Sequence, residues 1–245
     1  MTFTLTVLRQ AAPVSAPYRQ TILFESDDLQ MTVASVLRAI NADPDYTDTE
    51  GRRVNPLRWE CSCLQKKCGA CAMRINGRPR LACDAVLAEF RRRGRILLEP
   101  LRKFPVVADL ITDRSILMRN LMQMQIWFEQ NAETPESARD QAYEASRCLQ
   151  CGCCLEICPN FNPAGDFYGM AGVLPAARLL TALPESQEKA LFAAYRTHLY
   201  EGCGKSLSCH DICPAGIPID RLLVNANAAA VWKRKPRRKK EKPHE

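Results

Sequence analysis

Twelve residues constrain this chain more than any others. CLQCGCCLEICP places Cys148, Cys151, Cys154 and Cys158 as C-x2-C-x2-C-x3-C, with Pro159 next. Gaps this short make the backbone curl around one inorganic group. They are the spacing with which bacterial-type runs bind iron–sulfur cubanes, the first three thiolates on one cluster and the fourth on its neighbour. Cys153 falls out of register and reads as a buried bystander. The crossing rule demands a second run, and CGKSLSCHDICP supplies it: Cys203, Cys209 and Cys213, with Ser206 where another thiolate would stand. Cys213 then completes a 4Fe-4S set with Cys148, Cys151 and Cys154. Cys158, Cys203 and Cys209 remain, and three thiolates suit a cubane lacking one corner, a 3Fe-4S cluster with Ser206 at the vacant corner. A serine oxygen is a much weaker donor to iron than a thiolate; a serine-ligated 4Fe-4S cluster is the alternative.

A third group lies upstream. Cys63, Cys68, Cys71 and Cys83 give C-x4-C-x2-C-x11-C, and the first two gaps match the plant-type spacing for a 2Fe-2S cluster. Gly69 allows close approach of backbone to the cluster, and a hairpin at Asn76-Gly77 returns Cys83 to close the site. Cys61 would stretch the first gap to six residues and is left outside the ligand set. A zinc knuckle is the competing reading, though zinc sites more often present two short cysteine pairs. Eleven of the thirteen cysteines are used, four, four and three. Three different clusters on one chain make a wire rather than a catalyst, and no active site is expected on this chain alone.

The wider composition agrees. Clustered cysteines in a chain of 245 residues point to metal or redox chemistry in a reducing compartment rather than to disulfides. The start, MTFTLTVLRQ, alternates like a strand and lacks the continuous apolar core of a signal peptide. No stretch approaches the ~18 consecutive apolar residues of a membrane span. Net charge is +7, but Trp232–Glu245, WKRKPRRKKEKPHE, holds eight Lys/Arg against two Glu, so the body is near neutral. A nucleic-acid-binding body is not supported. The tail reads as a solvated, disordered end or as a contact with anionic lipid headgroups.

Phe3, Leu5 and Val7 alternate with threonines as in a half-buried strand, Tyr18–Phe24 predicts a second, and Val33, Val36, Leu37 and Ile40 recur at helical spacing behind an N-cap at Thr32. Asn76-Gly77 joins Ala72–Ile75 to Arg78–Ala82, and Ile96–Leu98 adds a last strand. Beyond Pro105 the pattern turns helical: VVADLITDRSILMRNLMQMQIWFEQ, a helix start at Pro135 and another at Pro184. Met118, Met122 and Met124 are expected to pack in the core. The fold class predicted is α+β, with a first domain over 1–105, a helical domain over 106–231 and the tail over 232–245.

Taken in order, CGACAMRINGRPRLAC, LEPLRKFPVVADLITDRS, RCLQCGCCLEICPNFN and SCHDICPAGIP resemble the iron–sulfur subunit of succinate dehydrogenase and fumarate reductase, from the first residues to about Leu223. The resemblance implies an N-terminal β-grasp plant-type ferredoxin domain and a C-terminal all-helical, bacterial-type dicluster domain. It implies electron relay between a flavoprotein subunit carrying FAD and a membrane anchor with quinone and haem b, at the cytoplasmic face of the cell membrane. The two-iron centre would face the flavin and the three-iron centre the membrane. Two departures stand out. Leu64-Gln65-Lys66-Lys67 replaces the family's usual Arg-Glu-Gly, and NFNPAGDF follows Pro159 without the tryptophan of the ubiquinone-linked branch. With DFYGMAG, this resembles the menaquinone-linked branch. The alternatives are the same relay serving a soluble or non-quinone-linked fumarate reductase or another flavoprotein, and a zinc-bound structural or nucleic-acid module. His210, beside Cys209, is expected to line a cluster cavity, the alternatives being a proton relay or a haem-side contact. Arg91-Arg92-Arg93-Gly94-Arg95 and Lys205 are candidate contacts for an acidic partner.

Overall fold

In this computed structural model, residues 1–129 and 132–232 are described. Strand β1 (Thr2–Arg9) puts Phe3, Leu5 and Val7 into the core with no exposed surface. It pairs antiparallel with β2 (Tyr18–Glu25) and parallel with β5 (Arg95–Glu99). Strands β3 (Ala72–Ile75) and β4 (Arg78–Leu81) form the hairpin predicted at Asn76-Gly77, where both residues adopt positive φ, 49° and 81°. The Asn76 side chain fastens that turn to β5, accepting from Leu97 N at 2.7 Å and donating to Arg95 O at 3.2 Å. The sheet order is β2-β1-β5-β3-β4. Helix α1 (Val33–Ala42) turns Val33, Val36, Leu37 and Ile40 into the same core, and its Thr32 cap accepts from Ser35 N.

The helical pattern read from Val106 onward is corrected at its first turn. Val106–Ala108 and Ile111–Thr112 form an antiparallel hairpin, β6 and β7. Asp109 is the cause. It is buried with φ 46°, and its carboxylate collects Gln10 N at 2.9 Å, Arg58 N at 3.0 Å and Arg9 Nε at 3.0 Å. Burying a carboxylate with two amide donors and the Arg9 cation beside it outweighs the local helical period, because an unpaired buried charge would cost far more than propensity.

Helix α2 (Ser115–Gln123) follows, but its methionines depart from expectation. Met124 is buried, whereas Met118 and Met122 are 62% and 60% exposed. Pro135 sits just ahead of a 3-10 turn, Glu136–Ala138, that leads into α3 (Arg139–Ser146). The remaining helices are α4 (Cys153–Ile157), α5 (Gly169–Leu179), α6 (Glu185–Tyr195) and α7 (Ile219–Asn227). A second core gathers on α5, from Met170, Val173, Leu174 and Ala177, with Leu191, Tyr195, Leu222 and Ala226 against it. The first core does not stop at the sheet. Leu110, Leu117, Cys151, Leu155 and Phe161 belong to it, so the two halves share one apolar seam. Among the described residues no helix is long and apolar enough to cross a membrane. The basic tail, apart from Trp232, lies outside the described residues.

Candidate iron–sulfur sites

The loop between α1 and β3 is wound by left-handed residues, Leu64 (φ 53°), Lys66 (φ 59°) and Gly69 (φ 74°). The winding turns amides inward. Gln65 N and Lys67 N donate to Cys63 Sγ at 3.4 and 3.3 Å, and Ala70 N reaches Cys68 Sγ at 3.5 Å. Such donors favour a thiolate. The Gln65 and Lys67 amides, with the Cys68 thiol, lower Cys63 to about 7. Cys71 lies beneath, pushed up to about 12 by burial and within hydrogen-bond reach of Cys83, which the turn after β4 carries back. The four predicted thiols thus meet as two pairs, Cys63 with Cys68 and Cys71 with Cys83. Cys61 is exposed and shares with Cys68 a groove beneath α2.

The two later runs interleave. Cys148, Cys151, Cys154 and Cys213 line one pocket, walled by Ala171, Leu174, Ile217 and Ile219. Cys158, Cys203, Cys209 and Ser206 line a second, walled by Phe167, Met170, Val173 and Leu223. Cys154 borders both, and α5 supplies a wall to each. Among the described residues, no three His, Cys, Asp or Glu side chains converge to hold a single metal ion. The thiols line spaces instead, and apolar pockets edged by sulfur fit a sulfide-bridged, multi-atom group. Burial raises Cys148 and Cys209 to about 11 and Cys154 well above its ordinary value. A cation-bearing group relieves that penalty, because coordination deprotonates a thiol outright.

Several contributors carried no sequence signal of their own. Cys153, the bystander, donates its thiol to Cys151 and lowers it to about 7, while that bond and burial raise Cys153 itself. Gln150 donates from one amide to Cys148 Sγ at 3.2 Å and to Ala171 O at 3.0 Å. That carbonyl is free because Pro175, four residues on inside α5, has no N–H to give it. A proline inside a helical pattern close to a cysteine run was the available clue. Arg114, from the turn before α2, donates to Gly69 O, Ala70 O and Cys151 O at 3.0, 3.0 and 3.1 Å and pairs with Glu60. Gly69 is packed so closely that a Cβ there would lie 2.8 Å from Cys151 Cβ and 2.9 Å from Leu149 O.

His210 lines neither cysteine pocket. Its ring nitrogens face Asp211 Oδ1 at 3.0 Å and Asp220 Oδ1 at 3.4 Å, and the Asp211 contact raises its pKa. Lys205 borders the second pocket and stands over the Tyr200 ring at 5.0 Å. Arg91, Arg92 and Arg93 are exposed.

Comparison with known proteins agrees with this geometry. Residues 4–119 match the 2Fe-2S iron-sulfur cluster binding domain family, and residues 144–217 match the 4Fe-4S dicluster domain family. The succinate dehydrogenase iron-sulfur subunit of Bacillus subtilis is 33% identical over 90% of this chain and 89% of its own. The fumarate reductase iron-sulfur subunit of Wolinella succinogenes is 30% identical over 86% of this chain and 89% of its own. A chain of the Mycobacterium smegmatis Sdh1 complex in the apo form shares the fold, with a TM-score of 0.74 at 21% identity, over 95% of this chain and 98% of that one. A chain with a 2Fe-2S half, a dicluster half and relatives of nearly equal length on both sides of the reaction belongs to the family of succinate dehydrogenase and fumarate reductase iron–sulfur subunits.

Proposed function

We propose that the chain relays electrons one at a time through three clusters, between a flavoprotein subunit that carries FAD and acts on the dicarboxylate, and a membrane anchor that holds menaquinone and haem b. The ligands in this reading are Cys63, Cys68, Cys71 and Cys83 for 2Fe-2S; Cys148, Cys151, Cys154 and Cys213 for 4Fe-4S; and Cys158, Cys203 and Cys209 for 3Fe-4S, with Ser206 at the open corner. The observation that carries it is the interleaving, Cys213 in the pocket of the first run and Cys158 in that of the second.

The clusters, when bound, supply reversible one-electron chemistry. The chain's own residues hold them, wall them and set their charge. Cys63 and Cys68 take amide hydrogen bonds that favour the reduced, more negative state, and Gln150 does the same at Cys148. Leu174, Ile217 and Ile219 give one pocket an apolar wall, and Met170, Val173 and Leu223 give one to the other. The first domain, 1–105, is in this reading a β-grasp ferredoxin unit. Support comes from the mixed sheet with α1 across it and the cysteine loop between α1 and β3. The second, 106–231, is the helical dicluster unit, and among the described residues every regular element beyond Thr112 is helical. The chain sits at the cytoplasmic face of the cell membrane, held there by its anchor. The menaquinone assignment rests on NFNPAGDF after Pro159, which brings no tryptophan to the edge of the second pocket.

Low-temperature EPR on the assembled complex tests the relay. Air-oxidised protein is expected to show a signal near the free-electron position that vanishes with dithionite as a two-iron signal grows. A colourless, zinc-loaded protein would end this reading. Within the first loop, Cys63→Ser is expected to remove the two-iron signal and Cys61→Ser to leave it. The opposite result would move the ligand to Cys61.

A further inference from the structure

We infer that Arg114 is a positioning residue for electron transfer: its guanidinium locks the loop of Cys68 and Cys71 onto the loop of Cys151 and sets a fixed positive charge between the two centres they hold. The inference rests on the ligand assignment proposed above and goes beyond it, since Arg114 ligates nothing.

The geometry is specific. One nitrogen, Nη1, donates to a carbonyl on each side of the seam, Gly69 O at 3.0 Å and Cys151 O at 3.1 Å. The other, Nη2, donates to Ala70 O at 3.0 Å and pairs with Glu60. Gly69 and Ala70 lie between two ligands of the first centre, and Cys151 is itself a ligand of the second. Only a planar fork with several donors can span both loops at once. The side chain is 15% exposed, so its charge acts through a medium that screens far less than water.

Its action also reaches the sulfur through the backbone. The peptide joining Gly69 to Ala70 accepts from Arg114 at its oxygen and donates from its N–H to Cys68 Sγ at 3.5 Å. A cation on one end of a peptide polarises the other and strengthens the second bond. On the far side, the same nitrogen holds the Cys151 carbonyl at 3.1 Å. The contact of Gly69 with Cys151 and Leu149 shows that the loops already meet at van der Waals distance where the fork closes over them.

When one electron crosses this seam, the donor centre is oxidised by one and the acceptor reduced by one. No proton moves, because the guanidinium keeps its charge at any working pH. Each centre gains one negative charge on reduction, so a cation between them raises both potentials. It also keeps the path between them short and fixed.

The experiment is EPR-monitored redox titration of the assembled complex, with iron content measured alongside, for Arg114→Gln, Arg114→Lys and Glu60→Gln. Arg114→Gln is expected to weaken reduction of both the two-iron and the four-iron centre about tenfold, ~59 mV for a one-electron couple. Arg114→Lys, which keeps the charge without the fork, is expected to recover most of that shift. Glu60→Gln removes the opposing carboxylate and is expected to shift the two-iron midpoint upward. It carries the test if Arg114→Gln does not assemble. Unshifted midpoints in iron-loaded Arg114→Gln, a lysine variant as low as the glutamine one, or a Glu60→Gln midpoint that stays or falls would overturn the inference. A wild-type complex without the two-iron signal would take down the ligand assignment and this inference together, whereas unshifted variants of a loaded complex would take down only the inference.

Discussion

Gly69→Ala is expected to pry the two-iron loop from the four-iron loop, while Gly51→Ala, at the same φ of 74°, is expected to be mild. The two positions form a matched pair. A left-handed backbone penalises any Cβ by about 1–2 kcal/mol, and both variants carry that cost. At Gly51 nothing lies within 4 Å, so the cost ends there. At Gly69 the new methyl group meets Cys151 Cβ at 2.8 Å and Leu149 O at 2.9 Å, and neither is the end of a flexible side chain. Overpacking a well-filled contact costs a further ~1–3 kcal/mol, a sizeable part of a domain's whole stability of about 5–15 kcal/mol. Thermal unfolding of the two variants, with iron analysis, checks this: Gly69→Ala should melt several degrees lower than Gly51→Ala and lose iron from the first loop. Equal melting temperatures would mean that the loops are not pressed together.

Ser206→Cys is expected to change the cluster rather than the stability. Ser206 borders the pocket of Cys158, Cys203 and Cys209, and its Oγ is engaged only locally, with Ser208 Oγ at 3.2 Å. A thiol there adds a fourth strong donor at an exposed position where nothing needs repacking. The oxidised-state EPR signal of the three-iron centre should fade, replaced on reduction by a second four-iron signal, while the two-iron signal stays as it was. An undiminished oxidised signal would place Ser206 away from the open corner.

How far the chain could be read before its structure depended on how local the cause was. The strands β1 to β5, helix α1 with its Thr32 cap, and the Asn76-Gly77 turn are written in short-range patterns, and the structure has them where the periods placed them. The hairpin at Val106–Thr112 was not readable, because its cause is the buried Asp109, and the groups that hold it are the amides of Gln10 and Arg58 and the Arg9 cation. Met118 and Met122 obey the helical period yet stay in solvent, since periodicity reveals that a face is apolar and not what covers it. At the sites, cysteine spacing pointed to the donors that line each pocket. Of the groups that adjust those donors, Gln150 and Cys153 sit two residues from Cys148 and Cys151, inside the run itself, whereas Arg114 acts across the fold. No window of sequence brackets Arg114 with both Gly69 and Cys151.

The exchange of thiols between the two later runs has a consequence for how the chain is assembled. Neither pocket can be completed by one stretch of chain: each takes donors from both 148–158 and 203–213. With the ligand sets proposed above, a filled first pocket ties off the 59 residues from Cys154 to Cys213 and a filled second the 45 from Cys158 to Cys203, and a cross-link of that span removes on the order of 4 kcal/mol of unfolded-chain freedom. The helices α5 and α6 lie inside the tied loop. Inorganic loading is in this sense a knotting step, and the first pocket to fill brings the ends of the second together.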